Sequence, residues 1–477
     1  MSRVVVVGAG VGGLACALRL ARAGHDVVVL EQGPEPGGKA SRVVRGGFRF
    51  DAGPSLLTMP WLVTDLVGDR LELRRVEPVT RYVFADGSSV ELSADGPLAH
   101  AALEAWSPGA GDDWLHWLGI CAAMWKGSVG VLSGPPPWPP RRPGPGSPPP
   151  DPRDLLRVRP WHTLRTLARH VLRDPRLRLI AERSATYAGA DPRRAPAALA
   201  VAGWVEHAFG AWHVMGGIHR IVEALVDALR DAGGELRTGV RAEAVVLRGG
   251  GELTLGRSWR ARGRVAGVRT ADGVVPADVV VHDGDAAGRG ERSLSGFALM
   301  LGLQGAEPGR RHHEIRFPAD YDAEFDDVFR HRQPVRDPTL YLAASSVTDP
   351  GEAPAGGENL FVLANAPLHR VGGGPDWDAV ADDYERHVLD RLGIDPDRIV
   401  VSARRTPADL ERQTGAIGGA IYGVAPHGRL GTLRRPPNDV PGVGGLWRVG
   451  GTTHPGGGLP LVLLSGRTVA GRIGPAG

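Results

Sequence analysis

Gly8-Ala9-Gly10-Val11-Gly12-Gly13 is the first group of residues whose types and spacing could do chemistry. Glycines in that pattern let a backbone turn tightly and approach a pyrophosphate, whose charge the N-terminus of a following helix stabilises. Glu31 lies 23 residues beyond Gly8, where a carboxylate would accept hydrogen bonds from ribose hydroxyls. Gly37-Gly38-Lys39 then adds a second glycine turn with a cation. A minimal nicotinamide fingerprint does not require that turn; it suits a longer flavin dinucleotide threading past the first domain. His312 and His313 are adjacent rather than spaced like helical metal ligands, and no Cys or Glu cluster accompanies them. No metal site is therefore expected.

These groups need elements to hold them. Arg3 to Val7 is a β-branched run typical of a strand buried on both faces of a parallel sheet. Leu14 to Arg22 has helical spacing, Gly24 ends it, and Asp26 to Leu30 is a second buried strand, which together make a βαβ start. Residues 100 to 213 change to helical segments rich in Trp, including Trp106, Trp114, Trp117, Trp125, Trp161, Trp204 and Trp212. Within them Gly134 to Pro152 carries eleven prolines, which predicts an exposed, extended loop. Ile218 to Ala232 reads as a helix, Glu235 to Leu247 and Arg264 to Thr270 as strands, and Ala277 to Val281 as an apolar run ending at His282-Asp283-Gly284-Asp285. Further strands are expected at Gly296 to Leu303 and Asn359 to Ala364, an amphipathic helix at Val380 to Leu392, and a closing strand, glycine-rich turn and helix over Gly445 to Gly477.

Composition bounds the possible functions. The chain has 477 residues, 56 Lys+Arg against 53 Asp+Glu, and 42% hydrophobic residues. That is a globular protein of two or three domains without the basic excess of a nucleic-acid binder, so no nucleic-acid partner is expected. Cys16 and Cys121 are the only cysteines, which excludes a disulfide framework and makes a reducing compartment the default. With no targeting segment and no run of about 18 apolar residues, a cytoplasmic protein is expected.

Several longer motifs carry a family resemblance. Gly38-Lys39-Ala40 followed by Phe50-Asp51-Ala52-Gly53-Pro54-Ser55, the segment Glu206-His207-Ala208-Phe209-Gly210-Ala211-Trp212 leading to Gly216-Gly217, and Val449-Gly450-Gly451-Thr452-Thr453-His454-Pro455-Gly456-Gly457-Gly458-Leu459-Pro460 resemble the bacterial phytoene desaturase family of FAD-dependent carotenoid enzymes. The similarity spans nearly the whole chain. It implies an α/β protein in which a Rossmann-type FAD-binding domain (1–100, 214–285 and 441–477) is interleaved with an α+β substrate domain (286–440). A helical membrane-facing region (101–213, with the Pro-rich insertion at 134–152) completes it.

The implied FAD contacts are Gly8, Gly10, Gly12, Gly13, Glu31, Lys39, Ala242, Gly450, Gly451, Thr452, Gly458, Leu459 and Pro460. A helix starting near Leu459 would aim its N-terminus at the flavin's pyrimidine edge, where negative charge accumulates on reduction. The implied activity is desaturation of a long isoprenoid such as phytoene or a later carotenoid. Isomerisation, saturation and oxygenation are the alternatives on the same scaffold. A substrate without a polar handle must be recognised by an apolar tunnel, and the Trp-rich segment is a candidate wall. It must also be collected from a bilayer, so peripheral membrane association is expected. The flavin itself would accept the hydride. Glu206 is the candidate proton acceptor, with a structural ion pair to an Arg as its other reading.

Overall fold

The valine run that opens the chain becomes the middle strand of a parallel five-stranded sheet. A computed structural model describes residues 1–136, 152–255, 261–285, 288 and 290–477. In it the strand order is Leu446–Arg448, Val279–His282, Arg3–Val7, Asp26–Leu30, Glu235–Arg237. Val5 pairs with Val280 on one side and Val28 on the other, and Val4, Val5 and Val6 are fully buried, as a sheet covered on both faces demands. The helix that follows runs Val11–Arg22 and packs on the closing helix Leu459–Ile473. It starts three residues before the expected Leu14. Gly12 and Gly13 are poor helix formers in isolation, but here tertiary contacts hold them.

The segment expected as one strand from Glu235 to Leu247 is two. Glu235–Arg237 edges the parallel sheet, while Ala242–Leu247 joins an antiparallel sheet with Glu252–Thr254, Gly263–Thr270 and Gly273–Pro276. Gly239, at φ +71°, turns the chain between them.

A seven-stranded sheet forms the second layer, in the order Ile399–Arg405, Ser295–Gln304, Gly357–Ala366, Leu340–Ala343, His313–Arg316, Thr80–Val83, Ser89–Leu92. Its last two strands come from the segment 1–100 that the sequence suggested was wholly cofactor domain. Four-residue strands carry little signal of their own, and pairing decides their sheet. Thr80–Val83 lies parallel to His313–Arg316, and Tyr82 stacks on Phe317 with ring centroids 6.2 Å apart.

Helices fill the region between. The longest, Ala110–Ser133, buries Trp114 and Trp117. Pro135 and Pro136 follow it, and residues 137–151 of the expected proline loop lie outside the described residues. Pro152, expected to end that loop, instead opens a helix, Pro152–Arg157, a position where its missing N–H costs nothing.

Candidate active site

The glycine loop closes around a carboxylate. Gly13 N–H donates to Asp283 Oδ2 at 2.9 Å. A Cβ added at Gly13 would lie 2.4 Å from Gly8 O, and one at Gly12 would lie 3.0 Å from the Cα of Gly450. The opening and closing glycine motifs therefore touch, and only glycine permits the approach. Glu31 sits where the second strand ends. Its Oε2 accepts from Ala9 N–H and its Oε1 from Gly33 N–H, both at 2.8 Å, so its charge also shapes the loop. Thr452 donates to Gly284 O at 3.1 Å, joining the closing motif to the Asp283 turn.

Three cations, Lys39 half-buried and Arg405 and Arg435 buried, face the same space. Lys39 Nζ donates to the carbonyls of Ile421 (2.5 Å) and Ala420 (3.1 Å), and burial pushes its ammonium down to about 8 against the opposing field of Asp285. Arg435 gives its Nη1 to the carbonyls of Tyr422 (3.1 Å) and Gly451 (3.2 Å). Arg405 gives its Nη1 to Ala52 O (2.6 Å) and Ser41 Oγ (3.2 Å), while its Nε and Nη2 are buried without a hydrogen-bond partner. Burial lowers both guanidinium groups to about 10. Cations buried among carbonyls favour an anionic ligand. Opposite them the closing helix begins, with Gly458 as its N-cap at φ +100° and Pro460 in its first turn. No protein atom lies within 4 Å of a Cβ built on Gly458.

These groups line one continuous cavity of about 1890 Å³. From the glycine loops and Glu31 it extends to apolar walls built from Val205, Ala298, Ile315, Phe361 and Leu363. On its wall Glu206, 4% exposed, is paired with Arg183, 8% exposed, at 3.3 Å from Glu206 Oε2. Tyr187 donates its hydroxyl to Glu206 Oε1 and accepts from Arg183 Nη1 at 2.6 Å. The Arg183 guanidinium also lies 4.8 Å from the Tyr187 ring centroid. Burial raises the Tyr187 phenol well above its ordinary value, so it stays protonated and donates. Beyond this group His313 Nδ1 bonds the Tyr341 hydroxyl at 2.8 Å, and Ser55 Oγ bonds the same hydroxyl at 2.6 Å.

Residues 6–66 match a model described as an NAD(P)-binding Rossmann-like domain. The fold as a whole matches an oxidoreductase from Methanosarcina mazei (TM-score 0.64, 16% identity, 98% of this chain and 99% of that one). It also matches putrescine oxidase bound to putrescine (TM-score 0.61, 15% identity, 99% and 98%). At the sequence level the chain is 33% identical to the hydroxyneurosporene desaturase of Rubrivivax gelatinosus over 98% of this chain and 92% of that one. It is 33% identical to the phytoene dehydrogenase of Streptomyces griseus over 99% and 95%. The chain belongs to the phytoene desaturase family. A third member of similar closeness is the 4,4'-diapolycopene oxygenase of a Methylomonas species, at 31% identity over 99% and 98%. The protein is thus an oxidoreductase, and its residues 6–66 are of the NAD(P)-binding Rossmann-like type.

For this phytoene desaturase family member, every residue assigned from the sequence to the cofactor or the proton lines the cavity except Gly13: Gly8, Gly10, Gly12, Glu31, Lys39, Ala242, Gly450, Gly451, Thr452, Gly458, Leu459, Pro460 and Glu206. Gly13 lies one layer beneath, as the donor to Asp283. His454, in the closing motif, bonds Gly134 O at 3.1 Å, and burial pushes it down to about 4. Of the tryptophans, Trp125 lines the cavity and packs on Trp204 at 5.6 Å, whereas Trp114 and Trp117 are core. The wall expected of the whole Trp-rich segment is therefore narrower. Sequence reasoning missed Asp283, Arg405 and Arg435. The position of Asp283 at the end of a buried strand, opposite a glycine loop, was the available signal.

Burial raises the Asp283 carboxyl from 3.8 to about 6, with Glu31 adding to the rise and the Gly13 N–H opposing it. The folded state then holds the proton more tightly than the unfolded chain does. The stability from this group is full below pH 3.8 and is lost as pH rises through 6. Asp283→Asn keeps an acceptor for Gly13 without the charge. Relative to wild type, the variant is expected to gain on the order of 2–3 kcal/mol between pH 4 and pH 7. Denaturant unfolding of both proteins at the two pH values measures it, and parallel pH curves would contradict it.

Proposed function

We propose that the protein is an FAD-dependent desaturase of a long isoprenoid polyene in carotenoid biosynthesis. The observation that carries this reading is the single cavity that joins two apposed glycine motifs and the cations Lys39, Arg405 and Arg435 to an apolar chamber. The residues fit FAD. The Gly8–Gly13 loop and the start of helix Val11–Arg22 would take the diphosphate, Glu31 the ribose, and Ala242 the adenine side. Lys39, Arg405, Arg435 and the N-terminus of helix Leu459–Ile473 present positive charge or dipole to electron-rich edges. FAD, when bound, supplies a two-electron acceptor for hydride.

The chain's own residues do the rest. The apolar walls exclude water and align one C–H bond of a substrate that has no polar handle. Arg183 and Tyr187 hold the Glu206 carboxylate at the wall, and Glu206 is the proposed acceptor of the proton left behind. The 31% identity to a 4,4'-diapolycopene oxygenase favours oxygenation at the same site as the second reading.

The test presents the FAD-loaded protein with phytoene, with neurosporene and with a hydroxylated acyclic carotenoid, each dissolved in liposomes. Absorption moving to longer wavelength, with loss of two hydrogens per new double bond by mass spectrometry, is the expected result. Gain of oxygen at constant unsaturation would favour the second reading, and no product from any polyene would overturn both.

No described helix is long and apolar enough to cross a membrane. We infer that the protein docks on one. Leu156 and Trp161 are 61% and 51% exposed and flank Val158 and Pro160, which line the cavity. Flotation with anionic liposomes should carry the protein upward in a salt-sensitive way. Leu156→Asp with Trp161→Asp should weaken flotation while leaving flavin content unchanged.

A further inference from the structure

Away from the cavity, His213, Asp349 and Glu352 converge in the protein interior. His213 sits on the strand Ala211–Val214 and is 1% exposed. Neither of its ring nitrogens has a hydrogen-bond partner. Its Nε2 points between two carboxylates, 3.7 Å from Asp349 Oδ2 and 3.9 Å from Glu352 Oε1. Asp349 and Glu352, 8% and 2% exposed, stand at the two ends of one tight turn, Pro350–Glu352. All three ligand atoms lie within 4.8 Å of one another. A third carboxylate adjoins them: a Cβ on Gly217 would meet Asp51 Oδ1 at 3.0 Å and Glu352 Oε1 at 3.3 Å.

The group has too much negative charge for its partners. Asp349 Oδ2 accepts from Gly216 N–H (2.7 Å), Asp51 Oδ2 from Ile218 N–H (2.9 Å), and Glu352 Oε2 from Ser345 and Asn359. All of those donors are neutral. Arg74, the arginine whose charge reaches His213, is exposed and paired with Glu72 at 3.2 Å. Buried charges of this kind are paired or coordinate a metal.

We propose that His213, Asp349 and Glu352 bind a divalent cation of the zinc–manganese class. One imidazole with carboxylate oxygens suits those ions. Tetrahedral zinc places neighbouring ligand atoms about 3.4 Å apart, so the two His213 spacings of 3.7 and 3.9 Å need to close by a few tenths of an ångström, and the carboxylate oxygens, within 4.8 Å of each other, by about 1.4 Å at most. The cation ties the strand before Gly216-Gly217 to the 349–352 turn and neutralises the acids between them. It is a structural site, distinct from the redox cavity, and it revises the expectation of no metal, which rested on His312 and His313 alone.

The test uses the full chain with its flavin, stripped by chelator and dialysed, then supplied separately with Zn²⁺ and Mn²⁺. After removal of excess metal, elemental analysis should find one ion per chain, and the melting temperature should rise to a plateau at that stoichiometry. His213→Phe and Glu352→Gln should each weaken binding by more than the roughly 10–100-fold typical of losing a hydrogen-bonded outer partner. Asp378→Ala, in the exposed His369–Asp376–Asp378 group, should change nothing. X-ray absorption should show nitrogen and oxygen neighbours and no sulfur. The proposal is overturned if the stripped wild-type chain binds neither ion, or if both ligand variants, folded by circular dichroism, still bind one. A sulfur-ligated spectrum would overturn it even if those variants fail to fold.

Discussion

Arg183→Ala is expected to destabilise the protein by about 3–5 kcal/mol, because it strands the Glu206 carboxylate, 4% exposed, without its countercharge. The loss has three parts. The ion pair at 3.3 Å goes, Tyr187 loses its donor at 2.6 Å, and the cation over the Tyr82 and Tyr187 rings disappears. Removing the charge that was stranded should reverse much of it. Glu206→Gln in the Arg183→Ala background is therefore expected to be more stable than Arg183→Ala alone, and a double-mutant cycle in denaturant measures the coupling. Activity separates the roles of the pair. If Glu206 accepts the proton, Glu206→Gln loses kcat even where KM for the polyene holds. If the pair only braces the wall, both variants shift KM and leave the pH profile of kcat alone.

Gly53→Ala is expected to empty the cofactor site. An added Cβ would fall 1.9 Å from the backbone oxygen of Lys39, and backbone cannot step aside as a side chain can. The chain must open at the point where Lys39 reaches across to Ile421 and Ala420, so its ammonium moves with it. A cost at or above the top of the roughly 1–3 kcal/mol range for overpacking follows. The purified variant should be colourless or sub-stoichiometric in flavin, with a lowered melting temperature in both the presence and the absence of added FAD. Wild-type flavin content would mean that the turn at Lys39 does not shape the site.

What could be read from the sequence was local. Glycines at 8, 10, 12 and 13 followed by an acid at 31 announce a βαβ loop because backbone geometry, not partners, dictates them. The closing motif was legible for the same reason. Asp283 was visible only as the end of an apolar run, since nothing near it says that it meets Gly13. Arg405 and Arg435 were hidden by abundance: Lys occurs only at 39 and 126, so Arg supplies nearly every cation and no single one stands out. The ion-pair partner of Glu206 was anticipated as an Arg, but its identity as Arg183 came from packing. His213 closes the segment read as helical, and the acids it faces lie on a turn far along the chain. In the same way nothing near Thr80–Val83 says that it pairs with His313–Arg316, beside Phe317.

The order of the parallel sheet has a consequence for synthesis of the chain. Arg3–Val7, the middle strand, needs Val279–His282 beside it, and that strand needs Leu446–Arg448. A ribosome adding about 5–20 residues per second finishes the first of these long before the last emerges. The valines of the opening strand therefore wait, unpaired on one side, for most of translation, and pairing at such separation is slow once it becomes possible. Yield of active enzyme should respond to chaperone supply and to growth temperature more steeply than the stability of the finished protein would suggest.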